Sequence, residues 1–315
     1  SLETAPAFDT SLVTTMSSMF NTCWALVDVP TYDYSSVTML DGMFNSCTRL
    51  VSIGVMNTSA ALTIAQSAFN GCAALRSFGG FSNTANLTNI STCFNGCVNL
   101  ITVPDMNLPK VTTVQGTFSG CTSLITAPAM TFSSLLVTMA SCFDGCTSLR
   151  TLPAYNTASV QNFSSTLNNC RTLVTAPSWD LSAATTVTSM FAQCMSIVTI
   201  PSYNFSNVTT FNQTFQACTS LRSFVSTTTT ANTTMAAMFT NCYALEDVSM
   251  PCANVTNAAG FTGCISLKTV VLTGLRYSVT VASNQLRAAD LDALYTSLGT
   301  ASGAQAVTVT SNPGI

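Results

Sequence analysis

"MFNSCTRL", residues 43–50, sets a Phe, a Cys and a Leu three positions apart, with small polar residues between them. The question is whether that Cys reacts, pairs or fills space. The same pattern returns along the chain and answers most of it. Aligned on it, Cys23, Cys47, Cys72, Cys97, Cys121, Cys146, Cys170, Cys194, Cys218, Cys242 and Cys264 follow one another at 24, 25, 25, 24, 25, 24, 24, 24, 24 and 22 residues. Three positions before each stand Phe20, Phe44, Phe69, Phe94, Phe118, Phe143, Leu167, Phe191, Phe215, Phe239 and Phe261. Three after each stands Leu, or Ile at Ile197.

A unit this short, with one apolar stripe, cannot bury that stripe alone; stacked copies bury it in a continuous column. The pattern therefore predicts a β-rich, right-handed solenoid with Phe on Phe, Cys on Cys and Leu on Leu. Segments such as "SLITAP" (123–128) are short strands, stacked in parallel about 4.8 Å apart. "MFNTC" segments (19–23) are tight helical or 3₁₀ turns that fold Phe and Cys inward. Pro30, Pro104, Pro128, Pro153, Pro177 and Pro201 lack the N–H that a parallel ladder uses, so they mark strand ends. Residues 1–272 form eleven to twelve such coils, and 273–315 form a larger final coil or cap.

Composition excludes several functions. Charged residues are 7% of the 315, the net charge is −3, and there is no His, the commonest general base and metal ligand. Nine scattered Lys and Arg make a poor case for nucleic acid, which is bound through clustered cations. No run of 18 apolar residues is present, so no helix spans a membrane. No phosphate loop, triad or nucleotide fingerprint occurs, and no cofactor is expected. Asp28, Asp33 and Asp41 are the densest acidic group and read as an exposed turn; the chain is not read as an enzyme.

"MFNTCWALVDVPTYDYSSVTMLDGMFNSCTRL" (19–50) resembles the F-x-x-C-x-x-L leucine-rich repeats of BspA-like and mycoplasma-type bacterial surface proteins, also found in phage fibre proteins. The resemblance covers residues 1–272. It implies a leucine-rich-repeat solenoid exposed outside the cell or on a virion, adhesive or structural, without catalysis. After residue 225 the pattern departs: Pro is lost and "STTTTANTT" (226–234) replaces the usual turn.

Fourteen Cys outside a cell would suggest disulfides. Stacking argues otherwise. Equivalent residues of neighbouring coils lie about 4.8 Å apart with parallel Cβ vectors, whereas a disulfide wants converging Cβ atoms about 3.8 Å apart. The ladder thiols are read as small apolar filler. Cys93 and Cys142 replace a core Met; Cys252 lies outside the pattern. Without His or acidic neighbours the Cys ladder is not read as a metal site.

Two surface features carry the functional expectations. Tyr32, Tyr155, Trp179 and Tyr203, two residues after the Pro position, are either core or an exposed aromatic stripe for sugars. Five residues after each Cys runs a hydroxyl row that includes Thr126, Thr151, Thr175 and Thr199. Strand alternation points it outward. It is a solvated face, a carbohydrate-facing or O-glycosylated surface, or an ice-binding array; its mixture of Ser, Thr and Asp weakens the last. Nine N-x-S/T sequons are close to chance in a chain so rich in Ser and Thr.

The tail "SNQLRAADLDALYTSLG" (283–299) predicts a helix over about 285–298 with Leu291, Leu294, Tyr295 and Leu298 on one face; "AVTVT" (306–310) predicts a strand and "SNPG" (311–314) a turn. "SLETAPAFDTSLVTTMSSMF" (1–20) opens at a strand position without a polar cap. The expected partners are therefore further copies joined head to tail in a filament, or flanking repeats of a longer chain. The alternative is a receptor- or glycan-binding adhesin module.

Overall fold

The computed structural model describes residues 2–257, 259–300 and 305–313, in two compact units, 1–159 and 160–315. Each is built from coils laid on coils in parallel. In the first unit β1 (Ser52–Ile53) pairs with β2 (Ser77–Phe78), and β3 (Met106–Leu108) with β4 (Met130–Phe132). Single bridges extend the ribbon at Thr4–Asp28, Ser77–Thr102 and Thr126–Thr151. The strands are short for a chemical reason. Gly79 donates its N–H to the Ile53 carbonyl at 2.9 Å; at the same place in other coils stand Pro104, Pro128 and Pro153, which have no N–H to give.

A second line of stacking runs through the turns, where the backbone is tighter than a strand and is not a helix. Two residues per coil, five and one before the Cys, hold positive φ: Ser18 and Thr22, Gly42 and Ser46, Gly116 and Gly120. Those reversals stop the i→i−3 turns from running on as 3₁₀ helix. The N–H groups divide alternately. Asn21 and Cys23 close local turns onto Ser18 and Phe20, while Ser18, Phe20 and Thr22 donate to Asp41, Met43 and Asn45 of the next coil at 2.7–2.8 Å. Every donor of the segment is thereby paired, as a buried backbone requires.

Inside the first unit the Phe20, Phe44, Phe69, Phe94, Phe118 and Phe143 rings stack at 5.4–5.5 Å, nearly parallel. All are buried, as are Leu50, Leu75, Leu100 and Leu124 beside them. Each such side chain contributes about 2–3 kcal/mol of burial, and each stack shares it with both neighbours.

The second unit repeats the scheme. Phe191, Phe215, Phe239 and Phe261 stack at 5.7–5.8 Å. β5 (Ser223–Val225), β6 (Asp247–Pro251) and β8 (Thr269–Thr273) form one parallel sheet, longer because Pro has left the strand position. β7 (Ala259–Gly260), β9 (Val279–Thr280) and β10 (Val307–Thr308) form another. The "STTTTANTT" segment contains a 3₁₀ turn, Thr229–Ala231. The tail helix α1 is Ala288–Ser297; the Asp290 carboxylate accepts from the Arg287 N–H at 3.0 Å and ties down its first turn. Leu291 and Leu294 are buried, but Tyr295 is 48% exposed, off the expected face. Residues 311–313 turn as expected; Gly314 lies outside the described residues.

Candidate binding face

The aromatic stripe is corrected first. Tyr32, Tyr155, Trp179 and Tyr203 are 2–6% exposed and cannot offer their faces to a sugar. Their rings stack on buried or neighbouring Phe rings: Tyr32 on Phe20 and Phe8, Tyr155 on Phe143, Trp179 on Phe163, Tyr203 on Phe191. The three phenols donate to the carbonyls of Pro6, Pro128 and Pro177, one coil back. A buried phenol needs an acceptor for its polar tip, and the Pro carbonyl of the preceding coil supplies it.

The thiols are also more than filler. Cys47, Cys72, Cys97, Cys121 and Cys146 donate Sγ to the carbonyls of Phe20, Phe44, Phe69, Phe94 and Phe118 at 3.0–3.1 Å. Cys194, Cys218, Cys242 and Cys264 do the same in the second unit. All the described cysteines are free, and only Cys23 is half-buried. Desolvation pushes the Cys47, Cys97 and Cys194 thiols up to about 12, so at neutral pH they carry no thiolate to react. Cys252 is buried as well. Among the described residues no group of three His, Cys, Asp or Glu could hold a metal ion.

Asp28 accepts from the Val29 N–H, and Asp33 from the Ser35 N–H and Asn57 Nδ2; those hydrogen bonds hold the Asp33 carboxyl below its ordinary range. They cap turns.

What faces solvent is the strand ribbon. Thr126, Thr151, Thr175 and Thr199 are exposed, as are Asp28, Ser52, Ser77 and Thr102. One position earlier, four after the Cys, lies a column that sequence reading passed over. In the first unit it reads Val27, Val51, Arg76, Ile101, Ile125, Arg150, all exposed; in the second, Val174, Val198, Arg222, Glu246, Lys268, with Glu246 half-buried. Backbone bonds stack it: Arg76 N–H to Val51 carbonyl at 2.9 Å, Arg150 N–H to Ile125 carbonyl at 2.9 Å. Exposure of Ile101 and Ile125 is 46% each. The signal was in the sequence, but a reading that weighs only apolar periodicity files an exposed Val or Ile as core.

Two recesses on this ribbon follow Pro. One of about 90 Å³ lies where Pro30 is followed by Gly54, and one of about 340 Å³ where Pro201 is followed by Val225. On another face, Thr38, Thr63 and Thr88 donate both N–H and Oγ1 to the carbonyls of Thr14, Thr38 and Thr63. Thr209, Thr233 and Thr256 repeat this in the second unit. This hydroxyl column is engaged in holding coils together.

Among the described residues no helix is long and apolar enough to cross a membrane. The family described as "Mycoplasma protein of unknown function, DUF285" matches residues 3–79, 63–176, 88–200 and 137–251. No curated protein matches. Among solved structures, a leucine-rich repeat protein from Bacteroides ovatus is 17% identical over 90% of this chain and 82% of its own, with a TM-score of 0.47. A leucine-rich cell surface protein from Faecalibacterium prausnitzii is 17% identical over 93% and 82%, TM-score 0.44. An internalin from Listeria monocytogenes is 15% identical over 85% and 78%, TM-score 0.30.

Proposed function

This chain belongs to the family described as Mycoplasma protein of unknown function, DUF285, and we propose that it is a non-enzymatic recognition module displayed on a cell or virion surface, binding an extracellular macromolecule through its strand ribbon. The observation that carries this is the column four residues after each Cys: backbone bonds such as Arg76 N–H to Val51 carbonyl keep it in register, and its aliphatic groups stand in water beside a row of hydroxyls. Contiguous exposed apolar surface rimmed by polar groups favours contact with a partner. Thr126, Thr151, Thr175 and Thr199 would accept O-linked sugars on the same face, which intact-mass measurement of the natural protein reads directly.

The test is adhesion of the immobilised chain to cells, matrix proteins and glycans, with an Ile101→Ser, Ile125→Ser double variant alongside. The variant should lose at least tenfold in retention. Equal retention removes the ribbon as the binding face. A surface fibre is the second reading, favoured by one observation. The coils stitch to one another through backbone groups, which would serve equally at a junction between two copies. Electron micrographs of the purified protein separate the two: fibres support the second, dispersed particles that still adhere support the first.

A further inference from the structure

The exposed column has a period of its own. It reads aliphatic, aliphatic, Arg three times over: Val27, Val51, Arg76; Ile101, Ile125, Arg150; Val174, Val198, Arg222. The arginines recur at 74 and 72 residues, every third coil, so four of the chain's nine basic residues, Lys268 included, occupy this one position. Twelve acidic residues outnumber the nine basic ones overall, yet between Asp28 and Glu246 neither this column nor the hydroxyl row beside it contains an Asp or Glu. The local sign is opposite to that of the whole chain. Arg76 and Arg150 are exposed, and neither meets a carboxylate in the ion pairs among the described residues.

Resting on the ribbon as the binding face, we propose that its first unit takes an extended acidic polypeptide, laid along the stack with two carboxylates on Arg76 and Arg150 and aliphatic side chains on Ile101 and Ile125. The two arginines are three coil steps apart, about 15 Å at roughly 5 Å per step. An extended chain rises about 3.3 Å per residue and turns alternate side chains to one face, so carboxylates four residues apart match them. A guanidinium presents a planar fork that fits a carboxylate bidentately. The aliphatic pair between the forks selects against a purely polar polyanion, which has nothing to place there. Two unpaired charges are also too few for a nucleic-acid backbone, whose affinity comes from many phosphate contacts.

The experiment is fluorescence anisotropy on the whole chain. The probes are synthetic Thr/Val peptides with two Glu four residues apart, the same peptides with the Glu two apart, and Gln versions. Polygalacturonate and phosphatidylglycerol vesicles serve as competitors. The spaced peptides should bind at least tenfold tighter than the other two sets. Arg76→Ser and Arg150→Ser, both exposed and outside the core, should each weaken them about tenfold, with affinity falling as salt rises. Equal affinity of spaced and closely placed Glu, unchanged binding by the Arg variants, or displacement by polygalacturonate or vesicles better than by the spaced peptide would overturn the proposal. If the Arg variants adhere to surfaces like wild type while Ile101→Ser, Ile125→Ser does not, the acidic partner is wrong and the ribbon stands. If both adhere like wild type, the ribbon reading has failed.

Discussion

Cys72 gives its thiol hydrogen to the main-chain carbonyl of Phe44, one coil back, at 3.1 Å, and that same carbonyl accepts the N–H of Cys47 at 3.0 Å. A small apolar side chain with one weak donor suits this place. Ala would fill less and donate nothing.

Cys121→Ala should therefore destabilise the fold by about 1.5 kcal/mol, part lost volume and part lost hydrogen bond. Cys121→Ser restores a donor and should recover some of the deficit, whereas Val, which keeps the volume and loses the donor, should not. Urea titrations of the three variants give the order. An Ala variant as stable as wild type would remove the thiol bond from the account.

The buried thiols also set an alkaline limit. Burial raises Cys47, Cys97 and Cys194 from an ordinary 9.0 to about 12. In the folded chain they keep their protons where the unfolded chain has lost them. Their contribution is complete below pH 9 and falls as pH rises toward 12, by about 1.4 kcal/mol per pH unit for each thiol. With several such groups, unfolding under reducing conditions should set in steeply just above pH 9. Circular dichroism against pH checks this; a flat signal to pH 11 would contradict it.

Left-handed backbone at non-Gly residues is a removable cost. Ala217 and Ala237 hold φ of 58° and 53°, a region that costs an L-residue roughly 1–2 kcal/mol. Glycine gives back part of that through unfolded-chain entropy. Ala217→Gly should still raise the melting temperature, the reverse of the usual effect of adding Gly. Calorimetry decides it.

Two glycines of neighbouring coils make a matched pair. A Cβ on Gly79 would lie 2.5 Å from the Gly54 backbone, while one on Gly54 meets nothing within 4 Å. Gly79→Ala should cost about 2–3 kcal/mol by forcing the coils apart; Gly54→Ala should be near neutral. Equal melting temperatures for the two variants would mean that β1 and β2 do not pack this closely.

The repeat made the coil, the parallel ribbon and the Phe column legible in sequence, because burial of a periodic apolar stripe leaves few alternatives. The turns were less legible. Their helical reading rested on the spacing of Phe and Cys, but Ser18, Thr22 and Gln193 hold positive φ that no propensity announces. Trp179 and the tyrosines left a core and an exposed reading both open, because a large ring with a polar tip suits either place. The acceptors of the three phenols, Pro carbonyls one coil away, are long-range partners that spacing does not reveal. The Arg column was open to view, and was missed because the alignment followed what is buried.

The alternating gift of N–H groups from one turn to the next has a consequence for how such a gene evolves. A coil's bonding obligations end with its immediate neighbours, so duplication or excision of some 24 codons leaves every remaining obligation met. The number of coils and the chemistry they present thus become separately heritable: one changes by copying turns, the other by single substitutions at a position that bears no weight.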